Sequence, residues 1–230
     1  MLITNRHFDE APRIVIDGNS IQQVDSTRYL GLYLDHKLKF HSQIENVEDK
    51  LSRFSGISFK LRNHFDRSTA LKYYYSCVYS SLSYCVTVWG GVSLCTSRCG
   101  RILRLQRRIV KNLFCRYFPG ESDEDIFKSM GLLKFPEIYK LKVSVYMYRI
   151  VKLGELNTLS RSLNLRYPNH QYPTTSRNQL LLQFPRTESI RMNYIYQFCH
   201  VWNGLPENVK EAPSLKVFKK ILTDHYLNSY

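Results

Sequence analysis

Residues 73–97 contain no charged side chain, and a stretch that long belongs either in a bilayer or in a protein interior. Composition decides between the two. Five tyrosines and six serines interrupt the run, so no unbroken apolar segment reaches the length that a membrane span needs. The stretch is therefore expected to be a buried helix with a tyrosine-rich face, and no membrane partner is expected. That helix opens at Asp66, an N-cap residue type, and runs through Leu71, Tyr75, Val78, Leu82, Cys85 and Trp89 at alternating spacings of four and three. The Gly90-Gly91 pair reads as its end. Such a helix needs a core around it, and 230 residues of which 43% are apolar suffice to build one.

Helical periodicity recurs on both sides. Upstream, Ile44, Val47, Leu51, Phe54 and Leu61 keep helical spacing, with Ser58 in the missing position. Downstream, residues 98–117 place Ile102, Leu105, Ile109 and Leu113 inward. Ser122-Asp123-Glu124-Asp125 opens a short acidic-capped helix that ends near Met130-Gly131, and Pro136 starts another through Ile138, Leu141, Val145 and Tyr148. Residues 154–187 turn loop-like, with Pro168, Pro173 and Pro185. A final helical pair follows at 194–202 and 214–227. Only the N-terminus reads as β: Arg13-Ile14-Val15-Ile16, the turn residues Asp17-Gly18-Asn19-Ser20 and an extended 21–24 form a hairpin. A further strand is expected over 29–34, with Leu30, Leu32 and Leu34 on one face. Gly31 leaves a gap on the other face that invites close approach of another backbone. The fold class is mainly α with a small N-terminal β-hairpin.

The 33 Lys and Arg against 19 Asp and Glu give a formal net charge of +14. That charge suits a partner to polyanions and exceeds what a small acidic metabolite requires. Residues 51–118 hold twelve of the cations, Arg53 and Lys60 among them, and one acid, Asp66. A solvated helix normally mixes signs so that neighbours pair, and this segment lacks the acidic half. On the 98–117 helix, Arg101, Arg104, Arg108 and Lys111 form a stripe with Arg107 beside it. The stripe spans roughly 15 Å, comparable to a few successive phosphates. A plain solvated face is the competing reading.

Chemistry is harder to find. Cys95-x3-Cys99 with Cys115 or His64 lacks the second short-range pair that structural zinc uses. His36 and His41 beside Asp35 complete no triad, so capping or surface roles are expected. Gly90-Gly91-Val92-Ser93 lacks what a phosphate loop or nucleophile elbow needs. The acids at 121–125 read as helix-dipole partners. Cys77, Cys85 and Cys199 read as small core residues. Six cysteines without a disulfide-like framework fit a reducing, intracellular setting, nucleus or cytoplasm.

The run Ser26-Thr27-Arg28-Tyr29-Leu30-Gly31-Leu32-Tyr33-Leu34-Asp35, followed by Leu38-Lys39-Phe40-His41 and Ile44, resembles the stretch just after the catalytic palm in reverse transcriptases of LINE-type, jockey-like non-LTR retrotransposons. Leu61-Arg62, Tyr74-Tyr75-Ser76, Tyr84-Cys85 and Val88-Trp89-Gly90 resemble that family's post-palm helices, and Leu105-Gln106-Arg107-Arg108-Ile109-Val110 its following basic helix. His170-x-Tyr172 with Thr175 and Arg177, Pro185-Arg186-Thr187, Trp202-Asn203-Gly204-Leu205-Pro206 and Ser214-Leu215 with Phe218-Lys219-Lys220 are similar to its C-terminal pattern.

The resemblance implies part of an RNA-directed DNA polymerase: a palm remnant and primer-grip-like hairpin over 1–35, a basic helical thumb-like region over 36–118, a helical extension over 119–155, a loop-rich linker over 156–187 and a C-terminal helical segment over 188–230. Tyr29, Leu30 and Gly31 would be the primer-grip positions. With Arg53, Lys60, Arg101, Arg104, Arg107, Arg108 and Lys111 they form the expected nucleic-acid-binding set, for primer and template or transposon RNA. In this family the metal-binding aspartates sit in a Y/F-x-D-D hairpin upstream, and no Asp-Asp pair occurs here. Met1-Leu2-Ile3-Thr4 resembles the palm strand just after that hairpin, so the chain is expected to begin inside the polymerase domain, with the rest of the palm as a possible partner. The full-length family would use Mg; this chain is expected to hold no catalytic residue, metal or cofactor and to have no activity of its own. The other reading from these residues is a stand-alone helical nucleic-acid-binding or protein-interaction module derived from a retrotransposon.

Overall fold

Asp17 and Gly18 take φ of 49° and 76°, and Leu30 and Gly31 take 48° and 82°. Two consecutive positive φ values make the two-residue turn whose twist matches antiparallel strands. The computed structural model, which describes residues 1, 3, 14–94, 98–155, 180, 182, 186, 187 and 193–230, accordingly starts with two small hairpins. In the first, β1 (Val15–Ile16) pairs with β2 (Asn19–Ser20); in the second, β3 (Ser26–Tyr29) pairs with β4 (Leu32–Asp35), Tyr29 opposite Leu32 and Ser26 opposite Asp35. The strand expected over 29–34 is thus cut by a turn at Leu30-Gly31. Leu32 is buried and Leu34 half-buried, but Leu30, expected on their face, is 76% exposed at the turn. What approaches Gly31 is not a backbone but the Tyr84 side chain: a Cβ on Gly31 would lie 3.4 Å from the Tyr84 hydroxyl oxygen, and that hydroxyl donates to the Leu30 carbonyl.

Leu2 and Thr4 of the expected palm-like strand, Arg13, Cys95, the motif residues His170, Tyr172, Thr175, Arg177 and Pro185, and most of the 156–187 linker lie outside the described residues. Of the described residues 66% are helical and 7% lie in strands, so the chain is mainly α.

The second hairpin leads into α1 (His41–Leu61) through a loop organised by Asp35. Its carboxylate accepts the backbone N–H groups of Lys37, Lys39 and His41 at 3.2, 2.8 and 3.2 Å, which is the capping role the sequence suggests. Along α1, Ile44, Val47, Leu51 and Ser58 are buried as the periodicity requires.

Asp66 caps α2 (Arg67–Tyr73) by accepting the Thr69 N–H at 3.2 Å. The helix then widens into a π-helical stretch, Tyr74–Tyr79, and returns to a last α-turn, α3 (Ser80–Ser83). Wider winding keeps residues four apart on one side, and the buried seam is Ala70, Tyr74, Val78 and Leu82. Tyr75 and Cys85, expected on the inner face, are exposed instead. The chain breaks at Tyr84-Cys85, where Cys85 has φ 47°, and the freed Tyr84 carbonyl accepts from Trp89 Nε1 at 2.8 Å. Gly90-Gly91 ends nothing: α4 (Val86–Leu94) runs straight through it.

Next come α5 (Arg98–Phe114) with a 3-10 turn at Cys115–Tyr117, and α6 (Asp123–Ser129), opened by a reciprocal capping box between Ser122 and Asp125. The central helix α7 (Phe135–Leu153) has proline in its first turn and Gly154, at φ 64°, as its cap. Against α7 pack α4, α5, α8 (Tyr194–Asn203) and α10 (Leu215–Leu227), the last preceded by a short α9 (Glu207–Lys210). Trp89 stacks on Phe135 with centroids 5.5 Å apart, and Trp202 and Phe218 close the other side. One hydrophobic cluster runs from Leu32 and Phe40 to Tyr226. No helix among the described residues is long and apolar enough to cross a membrane.

Candidate nucleic-acid interface

Helices α1 and α5 lie side by side and parallel, because their cross-contacts advance together along both. Arg98 pairs with Glu45 at 3.1 Å and Arg101 with Glu48 at 3.3 Å. Asn112 donates to the Ser55 carbonyl at 3.2 Å and to Ser58 Oγ at 3.1 Å. Arg116 donates to the carbonyls of Arg62 and Asn63 at 3.3 and 3.0 Å. Those carbonyls end a helix, where partial negative charge favours a cation.

The seam divides the cations of α5 into held and free. Helix α6 crosses nearby, so Arg107 meets Glu124 at 3.7 Å and Lys111 meets Asp123 at 4.0 Å. The acidic half that 51–118 lacks in sequence is thus supplied in space by Glu45 and Glu48 before it and by Asp123 and Glu124 after it. The acids of α6 are cross-helix partners as well as dipole partners. These pairs differ in strength. Glu48 is buried, and a buried carboxylate left alone costs about 3–5 kcal/mol, so Arg101 is anchored. Lys111–Asp123 is exposed and long, a class worth about 0–1 kcal/mol, and opens readily.

Arg104 and Arg108, exposed and one turn apart, meet no acid among the described residues. They form the free centre of the stripe. Arg53, Lys60, Arg62, Arg67, Lys72 and Arg116 likewise form no ion pair with a described acid. Three of them gather where α1 ends, α2 begins and α5 ends: Arg62 lies over Phe59 with its guanidinium 4.2 Å from the ring centroid, Arg67 over Phe118 at 5.4 Å and Arg116 over Tyr117 at 4.7 Å. Asp66, the acid there, is occupied by its helix cap, and the Thr69 hydrogen bond holds its carboxyl below the ordinary range.

Other residues of the expected binding set are not drawn to this surface. Arg53 and Lys60 sit on the side of α1 turned away from Glu48 and Ser55, which face α5; at 100° per residue the offset is about 120–160°. Tyr29, Leu30 and Gly31 form the tip of the second hairpin, tethered to Tyr84. Phe59, Arg62 and Arg116 are not in the expected binding set, although a signal was there: Phe59 falls on the α1 face of Glu48, Ser52 and Ser55 at spacings of four, three and four.

Among the described residues no group of three or more His, Cys, Asp or Glu is placed to hold a metal ion. The described cysteines are free thiols; Cys199 is buried, but Cys85, expected in the core, is exposed at the helix break. Set against models of known protein families, curated proteins and solved structures, the chain matches none. The likeness to reverse transcriptases rests on the residues quoted above.

Proposed function

We propose that this chain binds nucleic acid through the outer face of α5, as the thumb and following helical region of a LINE-type reverse-transcriptase-like protein that contributes grip rather than catalysis. The observation that carries the reading is the pair Arg104 and Arg108. Both are exposed and free of described acids, while Arg101 and Arg107 are held by Glu48 and Glu124 and Lys111 faces Asp123 in a long, exposed pair. Two free guanidiniums about 6 Å apart along the helix suit adjacent phosphates of one strand, and arginine suits phosphate geometry better than lysine. RNA and DNA both supply that chemistry.

Salt dependence tests it. Changing Arg104→Gln and Arg108→Gln together should lower the slope of log affinity against log salt by about 1.4–1.8 units. Every sequence should weaken equally, since phosphate contacts carry no base information. Helix content should hold, because Gln has nearly the helix propensity of Arg. The control is Lys216→Gln, Lys219→Gln and Lys220→Gln on α10, exposed cations at a distance from the stripe in sequence and fold. The control should change the slope by less than about one unit. Equal losses would mean that bulk charge does the binding, and the assignment to α5 would be dropped.

A further inference from the structure

We propose that this surface takes unpaired nucleic acid in preference to duplex, with Phe59 as the platform on which a base stacks; the inference rests on the reading above and sharpens it. The face of α1 that carries Glu48, Ser52 and Ser55 borders α5; Glu48 and Ser55 on it are buried and Ser52 is exposed, so the row runs along the rim of the seam. Phe59 continues that rim and is 51% exposed. Asn112 is committed to Ser55 and Ser58, and the next outward residue is the small, exposed Cys115. Among the described residues, Phe59 is not one of the apolar side chains packed against the core.

A cation meets the ring instead. Arg62, one turn further along α1, packs against the ring at 4.2 Å. Arg108 on α5 and Arg116 in the 3-10 turn after it lie four residues to either side of Asn112, which bonds α1, and Arg116 is fixed to the carbonyls of Arg62 and Asn63. None of the three meets a described acid. An apolar protein surface docking on Phe59 would strip water from three uncompensated charges, which is costly. A single strand brings phosphates to the arginines and a flat base to the ring in one ligand. A duplex brings only the phosphates, because its bases are stacked on one another. Stacking on an aromatic side chain is worth about 5- to 150-fold in affinity per base.

The test compares a single-stranded oligonucleotide and a duplex, each of about 20 nucleotides per strand, by fluorescence anisotropy with the full chain. Phe59→Ala should weaken single-strand binding at least fivefold and duplex binding less than twofold, with the salt slopes unchanged. Circular dichroism controls for folding. Phe59→Trp should restore single-strand binding, and its fluorescence should be quenched by the oligonucleotide, a signal that Trp89 and Trp202 cannot mask because both are buried. No loss on either ligand, equal loss on both, or rescue without quenching would each overturn the proposal. Binding whose slope depends on Arg104 and Arg108 but whose single-strand affinity is unchanged by Phe59→Ala would overturn this inference alone. Absence of binding by the unaltered chain would overturn the function as well.

Discussion

Gln106 is fully buried in the middle of a basic helix, and its carboxamide is saturated. Nε2 donates to the Tyr74 hydroxyl at 2.8 Å and to the Leu133 carbonyl at 2.9 Å, while Oε1 accepts the Phe135 N–H at 2.8 Å. The last bond matters because α7 begins without a side-chain cap of its own. Pro136 has no N–H to satisfy, and the Lys134 N–H goes to the Tyr230 hydroxyl at 2.8 Å, so Gln106 completes the helix start from another element. Gln106→Leu keeps the volume and strands three polar groups, each worth about 1–3 kcal/mol when buried without a partner. It should lower stability by at least about 3 kcal/mol in urea unfolding, whereas Tyr74→Phe, which removes one bond, should cost about 1 kcal/mol. A Gln106→Leu variant as stable as Tyr74→Phe would show that the network is not cooperative. From the helical period the inward position next to Gln106 is Leu105, which is only half-buried. Lys210 is similar, fully buried with Nζ 3.0 Å from Glu207 and 3.4 Å from the Asn203 carbonyl at the end of α8.

Two helical glycines act in opposite directions at the level of elements. A Cβ on Gly90 would lie 2.7 Å from the Tyr139 ring and 2.8 Å from Val86, and Tyr139 is itself buried in α7. Gly90 therefore sets how closely α4 packs on α7. Gly90→Ala should destabilise by about 1–3 kcal/mol, as overpacking does, although alanine is the better helix former. Gly56 in α1 has nothing within 4 Å of such a Cβ, so Gly56→Ala should stabilise by up to about 1 kcal/mol. Thermal unfolding of the two variants checks both signs, and a shift in the same direction would contradict the packing account. This pair also marks what was legible in the chain. Helix starts with a local chemical cause were readable, as at Asp66, Ser122 and Pro136, and so was the apolar row of α1. Gly90-Gly91 was misread because a terminating glycine and a close-packing glycine look alike until the facing helix is known. The turn at Leu30-Gly31 is met by Tyr84 from 54 residues away, which no local pattern encodes, whereas the break at Tyr84-Cys85 is bonded by Trp89 only five residues on. At the interface the arginine row was legible and its partition was not, since Glu48 and Glu124 lie about 50 and 20 residues from their partners.

Across the whole molecule, a formal charge of +14 leaves few carboxylates to hold the fold together, so their titration should dominate its acid behaviour. Two pull in opposite directions. Glu124 hydrogen-bonds Lys134 at 3.0 Å, and this bond, the Lys134 charge and Arg107 hold its carboxyl below the ordinary 4.5. A lowered folded pKa means stability that is present above the unfolded value and lost as pH falls through the folded one. Glu137, at the start of α7, is raised above 4.5 by burial, and one of its oxygens has no hydrogen-bond partner. Its charged form is therefore penalised in the folded state, and protonation relieves the penalty. As pH falls from neutral, the urea midpoint should first rise a little while Glu137 takes up its proton, then fall below about 4.5 as Glu124 and Asp66 lose their ionised partnerships. Growing self-repulsion of the cations should steepen the fall. Glu137→Gln should remove the rise and stabilise the chain at neutral pH. Glu124→Gln should lower stability at neutral pH and flatten the acid limb, because the bond that titrates is already weakened. If the acid limb of Glu124→Gln overlays that of the unaltered chain, charge repulsion alone drives acid unfolding and the link between α6 and the start of α7 is incidental.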